Sequence, residues 1–276
     1  MWPILRAITK AFDAVLMPFA GLHPWVGLSV VSVVTGVVML LIFGKTSNQK
    51  KIAETKDKLK AYIMEMWLFR NSPVVMFRAI GNVVRYNIQY LRHSLRPIVF
   101  LFIPVLFIMV QLGIRYAHEP IKPGETVVVT VAVADGVRAT EADITLEAPD
   151  GLSVVSPALR MNATGEIEWK LRADRCGTRS IGIVTPAGRI NKTVVAGEDL
   201  GTVRFASLKP RAGTWSAFLY PAEPPVQRDS IIKSIEVHYG EKQGLLFGIT
   251  FNWLWIFFIA SVVVGFAFKD LFGIEV

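Results

Sequence analysis

The side chains in this chain that could do chemistry are suited to binding rather than to bond-making. The four histidines, His23, His93, His118 and His238, are scattered, and no two have the spacing of a metal-protease helix or a zinc motif. Cys176 stands alone and can close no internal disulfide. No glycine-rich phosphate loop, dinucleotide fingerprint or nucleophile elbow occurs. The sequence therefore predicts a non-enzymatic protein, with no catalytic residue, no metal ligand and no cofactor. Two sets of binding residues remain. The first joins cations to soft apolar groups: Lys50, Lys51, Lys56, Lys58, Lys60 and Arg70, with Met64, Met66, Trp67 and Met76 on either side of Asn71-Ser72-Pro73. Flexible thioethers among aromatics make an adaptable surface for varied apolar ligands; the same residues also suit the core of a helical hairpin, or contact with lipid headgroups. The second set, Ser29, Ser32, Thr35, Gln111 and Asn252, is weakly polar and sits in apolar sequence. Ser29, Ser32 and Thr35, with Gly36, share about a third of a helix circumference at 100° per residue. Such a face packs helices through hydrogen bonds of about 0.6–2 kcal/mol, or lines a shallow groove that eases polar parts of a ligand into lipid.

The elements that must position these residues are long apolar stretches. Residues 25–43 (WVGLSVVSVVTGVVMLLIF) and 97–114 (PIVFLFIPVLFIMVQLGI) contain no ionisable side chain, and 245–268 contains none either. Runs of roughly 18 or more apolar residues match the hydrocarbon core of a bilayer as helices. The expectation is three transmembrane α-helices, over 25–44, 97–115 and 245–268, with a tail at 269–276. Between the first two, residues 45–96 carry heptad seams. Ile52, Leu59 and Met66, with Thr55, Tyr62 and Phe69, form one; Phe77, Val84 and Leu91, with Ile80, Asn87 or Ile88, and Leu95, form the other. Two seams separated by a proline turn predict an antiparallel coiled-coil hairpin. Ahead of the first span, 1–20 place Leu5, Ile8, Phe12, Val15, Leu16 and Phe19 on one helix face. That pattern predicts an interfacial amphipathic helix; the rival, a signal peptide, has its apolar core interrupted by Asp13 and Pro18.

Residues 119–240 change character. Valine, threonine and isoleucine dominate, and turn residues recur at Asp135-Gly136, Pro149-Asp150-Gly151, Ala163-Thr164-Gly165, Pro186-Ala187-Gly188, Gly197 and from Pro221 to Pro225. The predicted strands are 126–134, 142–148, 152–156, 166–173, 180–185, 190–195, 202–207, 214–219 and 231–239. Such spacing predicts an Ig-like β-sandwich inserted between the second and third spans, with Trp169 in its core.

Charge orients the whole. The chain carries a formal net charge of +8. The hairpin alone holds eleven Lys and Arg against Glu54, Asp57 and Glu65, whereas residues 115–245 balance sixteen cations with sixteen carboxylates. An excess confined to one short loop between spans is the positive-inside pattern and argues against DNA binding. It places the hairpin and C-terminus in the cytoplasm, with the N-terminus and β-sandwich outside a membrane expected to be bacterial inner (plasma) membrane.

This order of parts resembles the YidC/Oxa-type membrane insertase superfamily. It looks most like the three-span members, which include the insertase subunit of the ER membrane protein complex and archaeal relatives. The resemblance rests on residues 25–43, the hairpin from Lys45 (KTSNQKKIAETKDKLK through RYNIQYLRHSLR), 97–114 and 245–268. It implies an insertase or membrane chaperone. The hairpin would capture nascent or hydrophobic membrane-protein segments, with the ribosome or anionic lipid as a further contact, and a groove between spans would pass them into lipid. Two features depart from bacterial members: their groove arginine has no counterpart away from the span ends marked by Lys45, Arg96 and Arg115, and their external β-domain precedes the core spans. The alternative is a membrane-anchored adaptor whose β-sandwich binds an extracytoplasmic protein partner.

Overall fold

On the N-terminal side of Tyr116 the charge-free stretches become helix, and beyond it the valine- and threonine-rich stretches become strand. This is the arrangement in a computed structural model of the chain, which describes residues 2–19, 22–69, 71–197, 204, 206–213, 215–246 and 249–274. The molecule divides into two compact units, one of Met1–Leu28 with Met109–Trp253, the other of Ser29–Ile108 with Leu254–Val276.

The second unit is helical. Helix α2 (Pro24–Thr46) starts at a proline, whose fixed φ suits a first helical position. Ser47 breaks it, and Asn48 caps α3 (Gln49–Leu68) by accepting from the Lys51 backbone N–H at 3.1 Å. Helix α4 (Pro73–Tyr116) then runs through 44 residues with Pro97 and Pro104 inside it. The hairpin's second arm and the following span, expected as separate elements meeting at residue 96, are therefore one helix. No Gly, Asn or Asp stands in Arg92-His93-Ser94-Leu95-Arg96 to end it, and prolines are tolerated in membrane helices. Helix α2 and the Pro97–Tyr116 part of α4 are long and apolar enough to cross a membrane.

The expected third span over 245–268 is shortened. Helix α6 covers only Trp253–Phe268, 16 residues, or about 24 Å at 1.5 Å per residue. The preceding residues pair as strands, Gln243 against Asn252 and Leu246 against Ile249. Gly244 and Gly248 weaken helix there, and Ile249-Thr250-Phe251 favours strand.

The first unit opens with α1 (Trp2–Leu16), followed by a 3₁₀ turn at Met17–Phe19. Its bulk is a β-sandwich. One sheet runs β3 (Leu152–Val154), β5 (Glu166–Ala173), β1 (Thr126–Val133), β9 (Ile232–Val237) and β8 (Leu208–Pro210), with β4 (Leu159–Met161) also on β5. The other is β2 (Thr145–Glu147), β6 (Gly177–Thr185) and β7 (Gly188–Ala196), while β10 (Gln243–Leu246) and β11 (Ile249–Asn252) form the hairpin described above. Alternation along β5 explains the core: Ile167, Trp169, Leu171 and Ala173 point inward, and meet Val129 and Val131 of β1, Ile181 and Ile183 of β6, and Ile235 of β9 in one cluster. Side chains from both sheets thus share a single core. Several turn glycines read from the sequence take left-handed conformations: Gly151 has φ +88°, and any side chain there would meet the Arg179 guanidinium at 2.6 Å.

Three local readings differ. Residues expected as a strand at 214–219 instead give a helical turn, α5 (Ser216–Leu219), and Thr214 lies outside the described residues. Of the expected strand 202–207, only 204, 206 and 207 are described; the pairing falls on β8, an edge strand, where Pro210 is tolerated. Strand β4 carried no alternation long enough to read.

His118 bridges to Glu241 where the β-unit joins α4, beside Tyr239 at 6.3 Å between ring centroids. Burial holds its imidazole below the ordinary value, against the opposing pull of Glu241 and Glu236. The fold therefore prefers the neutral ring. The stability this gives is fully present above the unfolded value of about 6.5 and is lost as pH falls through the folded one. Acidification from pH 7.5 to 5.5 is expected to lower the urea midpoint of the β-unit, and His118→Asn to flatten that dependence. The measurement is urea-dependent hydrogen exchange of the β1 amides in the full-length protein.

Candidate functional site

Helices pack closely only where their side chains are small. Gly36 of α2 is such a point, since a Cβ there would lie 2.5 Å from the backbone oxygen of Ser261 on α6. Gly265, one turn further along α6, faces the Gly36 carbonyl, its own virtual Cβ 3.8 Å away. Small residues four apart allow this close crossing, as in membrane helix pairs generally. Around the crossing, larger side chains hold the helices apart and leave a groove of about 280 Å³. It is walled by Met39 and Phe43 of α2, Leu101 and Val105 of α4, and Phe258 and Phe266 of α6. Its side-chain hydroxyls are those of Thr35 and Ser261, and the Ser261 hydroxyl donates back to the Phe258 carbonyl at 2.9 Å. The groove is thus apolar, complementary to a hydrophobic segment rather than to polar groups.

Of the five residues expected to form a polar groove, one lines it. Thr35 is there; Ser32 is fully buried and Ser29 exposed elsewhere on α2. Gln111 belongs to the other unit, donating to the Thr9 hydroxyl at 3.1 Å and accepting from Arg115 at 3.2 Å. Asn252 ends β11 and is exposed. Gly36, read on the same face of α2 as Ser29, Ser32 and Thr35, also lines it; the reading missed Ser261 and Gly265, although these stand in a small-xxx-small spacing visible in the sequence.

The hairpin residues separate into two groups. Lys50, Lys51, Lys58 and Lys60 are exposed and Lys56 is half-buried. Met64 and Trp67 are 69% and 75% exposed, whereas Met66 and Met76 are half-buried on the side where the arms meet. Arg70 lies outside the described residues. The arms are held in register by Tyr62 stacked on Tyr86, ring centroids 5.3 Å apart, with the Lys58 ammonium 5.5 Å from the Tyr86 ring. Of the residues assigned to the first-arm seam, Ile52 and Thr55 are buried and Leu59, Tyr62 and Met66 half-buried, but Phe69 is exposed. On the second arm the expected Phe77, Val84, Leu91, Ile88 and Leu95 point away from α3, and Asn87 is exposed as well. The inward face is Met76, Ala79, Ile80, Val83, Tyr86 and Tyr90, so of the second-arm residues assigned to the seam only Ile80 lies on it. Two apolar heptads run along this helix, and the Tyr62–Tyr86 stack selects the other one.

In the first unit, Arg115 is fully buried. It pairs with Asp13 of α1, donates to the Gln111 carbonyl at 2.6 Å, and shares Asp13 with Arg204, 3.2 Å from that carboxylate. Its place at the end of an apolar run read as a boundary marker, whereas it joins α4 to the amphipathic helix. Nearby, the Lys242 ammonium lies 4.9 Å from the Tyr116 ring and 5.7 Å from the Trp25 ring, an arrangement common where a chain leaves the apolar layer. Among the described residues no group of three or more His, Cys, Asp or Glu could hold a metal ion. In comparisons with known proteins, no family model, no curated protein and no solved structure matches this chain.

Proposed function

We propose that this protein is a membrane-protein insertase or membrane chaperone. Its basic helical hairpin engages hydrophobic client segments, and the groove beside the α2–α6 crossing receives them in lipid. The observation that carries the reading is the apolar groove of about 280 Å³, found in the same unit as a hairpin tip exposing Met64 and Trp67. A groove with so few polar atoms suits an apolar helix in transit, while the exposed thioether and indole offer the adaptable surface that varied clients need. The reading carries an orientation: the hairpin and C-terminus in the cytoplasm, the β-sandwich outside, and nascent chains, with the ribosome or anionic lipid, as partners. The resemblance to the three-span YidC/Oxa-type insertases supports the same order of parts.

The test is site-specific photocrosslinking during synthesis of membrane proteins in native membranes. Photoreactive residues at Met64 and Trp67 are expected to trap newly made chains that carry an apolar segment, and a probe at Phe258 to trap them later. No adduct at any of the three positions overturns the reading, as does protease access that places 119–240 in the cytosol.

A second reading is favoured by the cleft of about 310 Å³ on the β-sandwich, where Thr185, Asn191, Lys209, Gln227 and Ser230 present polar groups. It is a membrane-anchored adaptor that holds an external protein there. It predicts stoichiometric co-purification of one partner, lost on deleting 119–240 while crosslinking at Met64 and Trp67 is absent.

A further inference from the structure

The outward face of α4 is built like one half of a coiled coil. Val74, Phe77, Gly81, Val84, Ile88, Leu91 and Leu95 alternate at spacings of three and four residues, the seam pattern that repeats every 3.5 residues. Its large members are 49–71% exposed, and nothing lies within 4 Å of where a Gly81 side chain would be. One flank of the stripe repeats with the same period: Arg78, Arg85 and Arg92, all exposed. Among the described residues no salt bridge joins these three to a carboxylate. These spacings suit a lipid-facing amphipathic helix as well as one packed against another helix, so the direction of the arm decides between them. The lipid surface is a poor cover for it, since α4 continues without a break into its apolar half and a proline kink of a few tens of degrees does not lay the arm flat.

We propose that this face docks an acidic amphipathic helix of a partner protein, with apolar residues in the seam and Glu or Asp opposite Arg78, Arg85 and Arg92. The arm before the apolar half is about 36 Å long at 1.5 Å per residue, so the partner helix is roughly three heptads. Gly81 leaves a notch for a bulky partner side chain. A second copy of this chain is the wrong occupant. Copies in one membrane bring their α4 helices together in parallel, setting Arg78, Arg85 and Arg92 against Pro73, Ile80 and Asn87 rather than carboxylates. The inference does not rest on the insertase reading; it needs only that the arm lies outside the bilayer.

The experiment uses the full-length protein in nanodiscs and a fluorescent synthetic three-heptad peptide with Leu in the seam and Glu on both flanks. The expected result is saturable binding that weakens at least tenfold in the R78E/R85E/R92E protein. Binding should be unchanged in a K50E/K51E/K60E protein, which removes as many cations from the other arm. Equal weakening in both variants, or none in either, overturns the proposal, because the peptide would then sense only net charge. A fluorophore attached at Ile88 reads the rival occupants. Quenching by brominated lipid overturns the proposal in favour of the bilayer, and Leu91→Cys disulfide dimers in a Cys176→Ser background overturn it in favour of self-association. Neither signal is expected.

Discussion

Replacing Glu223 by Ala is expected to destabilise the β-sandwich by about 3–5 kcal/mol, the cost typical of leaving a buried charge without its partner. The Lys192 ammonium is fully buried, donating to the Ala206 carbonyl and to Glu223 Oε1 at 2.9 Å. Lys209 lies 3.8 Å from the other carboxylate oxygen and donates to the Asn191 carbonyl. One carboxylate therefore serves two cations. Burial pushes both lysines below the ordinary range, and Glu223 opposes that shift. Without it the shift deepens. A lysine with a depressed value in the fold binds fewer protons there than in the unfolded chain up to about pH 10.5, so stability rises with pH over that interval. The Glu223→Ala protein is expected to recover part of its loss between pH 7 and 9.5, more steeply than the parent. Lys192→Met should cost less than Glu223→Ala, because Glu223 keeps Lys209. Lys192→Met with Glu223→Gln together should cost less than Glu223→Ala alone, since one buried cation, Lys209, rather than two is then without its carboxylate. Urea-dependent hydrogen exchange at Ile181 and Ile183 in the full-length protein measures all four. A loss below 1 kcal/mol for Glu223→Ala would mean water reaches the cluster.

What the sequence made legible, and what it did not, follows the range of the interactions involved. The strands of the sandwich could be read because their signal is local. Ile167, Trp169 and Leu171 alternate with Glu168, Lys170 and Arg172, and glycines such as Gly151 and Gly165 mark turns that need left-handed backbone. The charge-free stretches gave α2 and the apolar half of α4 for the same reason. The Lys192–Glu223–Lys209 cluster was not legible. Its members are up to 31 residues apart, and lysines in β-rich sequence ordinarily lie at the surface. The hairpin's second arm failed differently: α4 carries two apolar heptads offset around its axis, and hydrophobic periodicity cannot say which one a neighbouring helix covers. Only a side-chain contact, Tyr62 on Tyr86, decides it. The expected polar groove was placed on hydroxyl and amide residues, whereas the groove lies beside a crossing of small residues, Gly36, Ser261 and Gly265.

That last point has a measurable consequence at Gly36. Any side chain there would meet the Ser261 backbone, with the carbonyl oxygen 2.5 Å and the carbonyl and α carbons 3.2 Å from the new Cβ. Backbone cannot rotate aside as a side chain can, so α2 and α6 must separate. Overpacking of this kind costs about 1–3 kcal/mol. Gly36→Leu is expected at the upper end of that range and Gly36→Ala at the lower, even though alanine is the better helix former by about 1 kcal/mol. Gly81→Ala supplies the opposite sign. It lies on an exposed helix with nothing within 4 Å, so the same change there should stabilise by about 0.5–1 kcal/mol. Ser261→Gly should not rescue Gly36→Leu, because the obstruction is main chain. Thermal unfolding in detergent separates the pair. The groove adds a second readout, since parting α2 from α6 moves Thr35 and Phe258 away from each other. The distance between spin labels on cysteines at those positions, in a Cys176→Ser background, should be longer in Gly36→Leu than in the parent. If Gly36→Leu leaves both the melting temperature and that distance unchanged, the helices do not cross at this glycine, and the groove beside it loses its origin.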